Sequence, residues 1–324
     1  MHCAFGRILF VDPPIGTSAK SQSHTGALCR KGAKWDDRKP VFEKQIEDLK
    51  SRNTWDLVYP PPNTDILPGK WGLGSTPKVN GTEATHAGFS GKIENAESWS
   101  AQDVYAAVAN SASVRLFFTL VTINDYECYQ YDVVTAFLNA TCKGNPIYIE
   151  QPHSFTDGTT RVSGRLNRAL YGLRKVPLWW FETICEALKQ HGFEQMTSDM
   201  CLFKNDRLSA LLLYVDDVLV AASDLHNIRE IEEILTFHYE LKEFEEVQEF
   251  LGISIGKKYL HQKSFTERIL ERFGYSDLSA AATPWNAHFQ LPIEWEKLPE
   301  GSELYSQQTG STNYLYCQTR PDIT

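Results

Sequence analysis

Leu211-Leu212-Leu213-Tyr214-Val215-Asp216-Asp217-Val218-Leu219-Val220-Ala221 places two adjacent acids inside an otherwise apolar run. Burying a carboxylate among aliphatic side chains is costly unless something pairs with it. The flanking residues have the strand-forming character of a hairpin that spans Ala210 to Ala222. Neighbouring residues of a regular strand point to opposite faces, so the acid pair is expected in the tight turn. From there both carboxylates reach a cation, and magnesium characteristically takes one or two carboxylates and completes its shell with water and substrate phosphates. Asp-Asp is also ordinary turn chemistry, because Asp hydrogen-bonds its own backbone there. A third acid, Asp132, lies in an earlier extended segment, Cys128 to Val134, with Tyr129, Tyr131 and Val133 around it. If the two segments share a sheet, three carboxylates converge. Such a cluster repels itself until cations arrive, and two metals about 4 Å apart are the arrangement that drives phosphoryl transfer.

Outward from this point the chain reads as a folded protein. Its 324 residues are 42% hydrophobic and 12% aromatic, which argues against general disorder. No run approaches the ~20 apolar residues of a membrane span, and Met1 to Phe10 lacks the long apolar core of a signal peptide. Seven cysteines, an odd number and scattered, show no close pair for zinc. They fit free thiols in a reducing compartment. The net charge of −9 runs against the basic surface that usually holds nucleic acid. Much of the acid lies between Glu230 and Glu249, where eight Glu accompany Lys242 alone, a pattern of a solvated helical face.

Residues 1–40 are Gly-, Ser- and Lys-rich with little periodicity and read as a leader. Helices are predicted at 40–52, 101–121, Pro177 to His191, Leu225 to about Leu241 and Phe265 to Phe273, from apolar spacing and end signals such as Pro177 and Gly192. From Gly69 to Glu97 little specifies structure. Helices and antiparallel strands mix without a βαβα rhythm, so the expected class is α+β.

Six segments together resemble one family. Tyr214-Val215-Asp216-Asp217 resembles the YVDD box of reverse transcriptases, and its surroundings are similar to the copia type. Tyr131-Asp132-Val133-Val134-Thr135-Ala136-Phe137-Leu138 resembles DVxxAFL, and Ile147-Tyr148-Ile149-Glu150-Gln151-Pro152 resembles IYMxQP. Leu170-Tyr171-Gly172-Leu173-Arg174-Lys175 through Trp180 is similar to LYGLKQAPRxW. Phe250-Leu251-Gly252-Ile253 and Thr319-Arg320-Pro321-Asp322-Ile323 resemble FLGI and TRPDI. The resemblance implies a right-hand polymerase fold with an antiparallel palm sheet. Fingers and palm would span residues 41–223, with thumb and the start of a connection over 224–324, and no RNase H or integrase domain. It further implies that Asp132, Asp216 and Asp217 hold two magnesium ions, that Phe137 guards against a ribose 2′-OH, and that Lys175 belongs to the nucleotide site. Phe250 to Ile255 falls where the family places a hairpin against the primer terminus, while Tyr171 and Trp180 read as packing residues. The implied partners are an RNA template, a DNA primer and dNTPs, with no membrane; the oligomeric state is left open. Together with the free thiols, the resemblance implies a cytoplasmic or nuclear location.

The sequence also departs from the pattern. The family's basic KARLVARGF-like run corresponds here to Gly81-Thr82-Glu83-Ala84-Thr85-His86-Ala87-Gly88-Phe89, without Lys or Arg. Charge-assisted bonds to a triphosphate, about 1.5–3 kcal/mol each, would be missing. Lys175 stands where the family has Gln, Leu178 where it has Arg, and the hairpin after Gly256 is short. Two readings therefore stand: an RNA-directed DNA polymerase, or a palm scaffold that has lost that activity, whether an inert remnant or a binding protein.

Overall fold

The computed structural model describes residues 35–77, 83–91, 100, 104–152, 162–206, 209–242, 245–256, 259–279 and 303–323. Of the leader assigned to residues 1–40, the first 34 lie outside the described residues and the rest already belong to a helix. In chain order the elements begin with α1 (Trp35–Ser51), β1 (Trp55–Val58), β2 (Ile66–Leu67), β3 (Gly69–Pro77) and β4 (Glu83–Gly91). Next come α2 (Ser111–Asn124), β5 (Glu127–Asp132), a 3-10 turn (Ala136–Asn139), β6 (Tyr148–Ile149) and β7 (Ser163–Leu166). Then follow α3 (Val176–Gln190), β8 (Glu194–Gln195), β9 (Leu202–Lys204), β10 (Ala210–Tyr214), β11 (Asp217–Ala222) and α4 (Leu225–His238). The remainder is β12 (Glu245–Glu246), β13 (Glu249–Phe250), β14 (Ile253–Ile255), β15 (Leu260–His261), α5 (Lys263–Arg272) and α6 (Glu303–Gln318). Helices and largely antiparallel strands make this an α+β chain.

Two compact units divide it. The first comprises residues 1–110 and 127–244, the second 111–126 and 245–324. In the first, β5, β11, β10, β9 and β8 lie side by side in that order, each pair antiparallel. Its centre is the hairpin from which the sequence was read: Leu211, Leu212, Leu213 and Val218 through Ala222 are all buried. A strand covered on both faces reads as a continuous apolar run rather than an alternating one. Helix α4 packs on β5 and β11 through buried Ile228, Ile231 and Leu235. Its start is set by Asp224, whose carboxylate accepts from the Asn227 backbone N–H at 2.9 Å. It stops at His238, before the expected Leu241, because residues 240–242 turn to run beside β5: the Val134 N–H donates to Glu240 O, and the Lys242 N–H to Asp132 O, both at 2.9 Å.

A second sheet, in the order β1-β7-β6-β2, and the β3–β4 hairpin complete this unit. That hairpin is where the sequence specified little. It is held by Phe89, whose ring lies 5.0 Å from Trp71 and 6.2 Å from Trp55, and Trp71 in turn packs on Phe42 of α1 at 4.7 Å. The basic-run position falls on β4, and the side chains at 83–87 lie outside the described residues. Another departure is the helix expected at 101–121. Residues 105–110 carry no helix, because the backbone N–H and side-chain amide of Asn110 both donate to Asp199, at 3.2 and 2.9 Å.

The second unit gathers α2, the sheet β13-β14-β15, α5 and α6. Phe118 of α2 meets Phe250 of β13 at 6.2 Å, Gln318 of α6 bonds Ser111 at 2.8 Å, and the Tyr314 hydroxyl donates to Leu251 O.

Candidate active site

Register decides which acids meet. Tyr214 pairs with Asp217, leaving Val215 and Asp216 as the hairpin loop, and Asp217 pairs across the other edge of β11 with Asp132. Directly opposed residues of an antiparallel pair project from the same face. Asp132 and Asp217 therefore stand together, with Asp216 beside them, its carbonyl accepting from the Val133 N–H at 2.9 Å. The sequence put both acids of the pair in the turn. The structure puts Asp216 there and makes Asp217 the first residue of β11.

The turn is held in an uncommon conformation. Val215 has φ 58°, a left-handed backbone that a β-branched residue adopts only under outside constraint. That constraint is Trp180, buried in α3, whose Nε1–H donates to Val215 O at 2.7 Å.

The electrostatics are those of crowded anions. The Asp217 carboxylate accepts from Gln130 Nε2 at 2.9 Å; Asp132 is paired with Lys242 Nζ at 2.6 Å. Asp216 Oδ1 is buried and accepts no hydrogen bond. Burial first, then the charges of Asp132 and Asp217, push the Asp216 carboxyl up to about 6, against a smaller downward pull from Lys242. Burial raises Asp217 as well, partly offset by the Gln130 bond. Among the described residues no three carboxylate, imidazole or thiol groups close around a single point, and two of the three acids are engaged by Lys242 and Gln130. All three nevertheless supply hard oxygen donors at one edge of the sheet, one of them an orphan, and divalent magnesium or manganese suits such a set.

Phe137 lies in the 3-10 turn just beyond Asp132, buried, with its ring 4.8 Å from that of Tyr171. Burial, and after it the negative charge of Asp216 and Asp132, raises the Tyr171 phenol, so this residue faces the acids as well as packing on Phe137. Lys175 stands at the N-cap of α3, five residues before Trp180, which bonds the hairpin turn. Sequence reasoning missed three participants. Gln130 was discoverable, since it precedes Asp132 by two and shares its face. Lys242 stood out only as the lone cation of an acidic run, and nothing in the sequence marked Tyr171 as an acid-facing group.

A family model described as reverse transcriptase (RNA-dependent DNA polymerase) matches residues 52–287. The chain belongs to the reverse transcriptase family. Among its reverse transcriptase relatives are the retrovirus-related Pol polyproteins of transposon TNT 1-94 from Nicotiana tabacum and of transposon RE2 from Arabidopsis thaliana. The first is 29% identical over 87% of this chain and 23% of its own length, the second 28% over 94% and 21%. A putative transposon Ty5-1 protein of Saccharomyces cerevisiae is 31% identical over 59% of this chain and 65% of its own. The copia-type resemblance stands with these transposon relatives, and the chain spans less than a quarter of the length of the first two. A solved foamy viral protease-reverse transcriptase in complex with double-stranded DNA is similar over 85% of this chain and 40% of its own, with TM-score 0.42 and 13% identity.

Proposed function

We propose that this reverse transcriptase domain is an RNA-directed DNA polymerase that extends a DNA primer on an RNA template with dNTPs, using two magnesium ions. The observation that carries the reading is the register that sets Asp217 opposite Asp132 with Asp216 in the adjoining turn. Asp132, Asp216 and Asp217 are the residues that would hold the ions. When bound, the ions neutralise phosphate charge and activate the attacking oxygen. Trp180 fixes the turn that aims Asp216. Phe137, backed by Tyr171, is placed five residues past Asp132 to exclude a ribose 2′-OH, and Lys175 offers ammonium donors to a phosphate. In this reading fingers and palm span residues 41–223, and thumb with the start of the connection residues 224–324.

The absence of Lys and Arg from Gly81 to Phe89 favours a second reading, a palm scaffold without polymerase activity. Primer extension on an RNA template with magnesium separates the two. Template-dependent product from the native chain, absent with Asp216→Asn, is the expected result; no product at any dNTP concentration would overturn the first reading in favour of the second.

A further inference from the structure

On the first unit, away from the carboxylates, the C-terminal ends of α3 and α4 bring two imidazoles together. His191 caps α3 and His238 is in the last turn of α4. Their Nε2 atoms are 3.0 Å apart, with ring planes at 77°. Two neutral imidazoles at this distance share one proton, one ring donating and the other accepting. The same spacing is that of two cis ligands on one ion: with metal–nitrogen bonds of about 2.0–2.1 Å, the nitrogens lie about 2.9 Å apart at a right angle and about 3.3 Å apart in a tetrahedron.

We infer that His191 and His238 form a two-imidazole clamp for a late first-row divalent cation, of the zinc, nickel or copper(II) class, that staples the end of α3 to the end of α4. Binding breaks the shared hydrogen bond: the ring that donates shifts to the Nδ1–H tautomer, its Nε2 proton passing through solvent to its own Nδ1, so that both neutral rings offer an Nε2 lone pair, and each ring turns to aim that lone pair at the metal. His191 is exposed, its ring edge-on to Phe237 at 6.5 Å, which leaves solvent room on the side of that turn. Several features favour a cation here. Both helices present their carbonyl ends, the negative pole of the helix. Burial and the neighbouring His191 hold His238 below the ordinary imidazole range, so it is unprotonated and ligand-competent at neutral pH. The net charge of −9 draws cations to the chain as a whole. Among the described residues no Asp, Glu or Cys joins the pair, so the remaining coordination positions go to water. Imidazole selects these ions over magnesium, which sets this site apart from the acids at the hairpin and makes the inference independent of the polymerase reading.

Nickel titration of the full chain by calorimetry tests it, with His191→Asn, His238→Asn and Asp216→Asn in parallel. The native chain and Asp216→Asn should share one nickel site that weakens at least about tenfold in each histidine variant. Nickel at about 100 µM should raise the thermal midpoint of the native chain, and neither magnesium nor the removal of one imidazole should reproduce that rise. Equal stoichiometry and affinity in the native chain and both histidine variants would overturn the inference, as would loss of the site in Asp216→Asn. Since His238 is partly buried, His191→Asn on the exposed ring decides alone if the other variant fails to fold: retention of the site there refutes a clamp.

Discussion

Replacing Asp216 by Asn isolates the cost of burying a charged carboxylate beside two other acids. In the native chain the Asp216 carboxyl is held at about 6 against an ordinary 3.8, a gap worth about 3 kcal/mol at about 1.4 kcal/mol per pH unit. The sign follows from proton counting. Between 3.8 and about 6 the folded state holds a proton that the unfolded state has released, so stability falls as pH rises through that window and the penalty is complete above it. Asparagine cannot ionise and escapes the penalty, but its amide occupies a site where Oδ1 has no partner, which returns about 1–2 kcal/mol. The expected outcome is a crossover: Asp216→Asn about equal to or less stable than the native chain near pH 4, and more stable by about 1–2 kcal/mol near pH 8. Urea unfolding at both ends of the range reads this directly. Saturating magnesium should stabilise the native chain near pH 8 and leave the variant nearly unchanged, because the ion compensates the buried charge and the repulsion from its neighbours. A variant less stable than the native chain by the same margin at both pH values would refute the claim that Asp216 is forced to carry its charge at a cost.

Lys242→Met frees Asp132 and should tighten manganese binding several-fold by calorimetry; since the pair is exposed, with 62% and 38% of the side chains accessible, stability should change by less than about 1 kcal/mol. Unaltered manganese affinity would contradict a competition between ammonium and metal. Gly172→Ala meets two obstacles at once, a backbone φ of +94° and a Cβ only 2.1 Å from the Gly91 carbonyl oxygen. A loss of about 3 kcal/mol or more, seen as a thermal midpoint lower by roughly 5–10 °C, is expected, and an unchanged midpoint would show that β4 does not approach Tyr171 as closely as the 2.9 Å bond from Gly91 N–H to Tyr171 O implies. Trp180→Phe removes the bond to Val215 O and should cost about 1–3 kcal/mol together with manganese affinity; retained affinity would mean the turn holds its left-handed residue without help.

The hairpin was legible because its apolar run, its two acids and its length admit few alternatives. Even so, the placement of Asp217 needed the pairing with Tyr214, which spacing alone leaves open by one residue. The β3–β4 hairpin was not legible: Gly and small polar residues carry no period, and its pairing depends on Trp71 and Phe89 finding Phe42 and Trp55 from other segments. Lys242 was visible but misvalued. It lies in an acidic stretch, and its importance comes from an antiparallel contact between Val133 and Leu241 that local sequence does not announce. The missing turns of the 101–121 helix have a similar cause, since Asn110 finds Asp199 rather than a helical partner.

The pairing of β5 with β11 has a consequence for how the site can change. Moving β5 by one position against β11 would take Asp132 to the opposite face from Asp217, and would exchange the faces of Tyr131 and Cys128, now opposite Val218 and Ala221, so that a buried phenol ring would have to fit where a small thiol packs. Reading frame and interior are therefore one variable. A chain can lose its acids singly, by substitution, with the architecture intact. It cannot slip in register without repacking both faces of β5 at once.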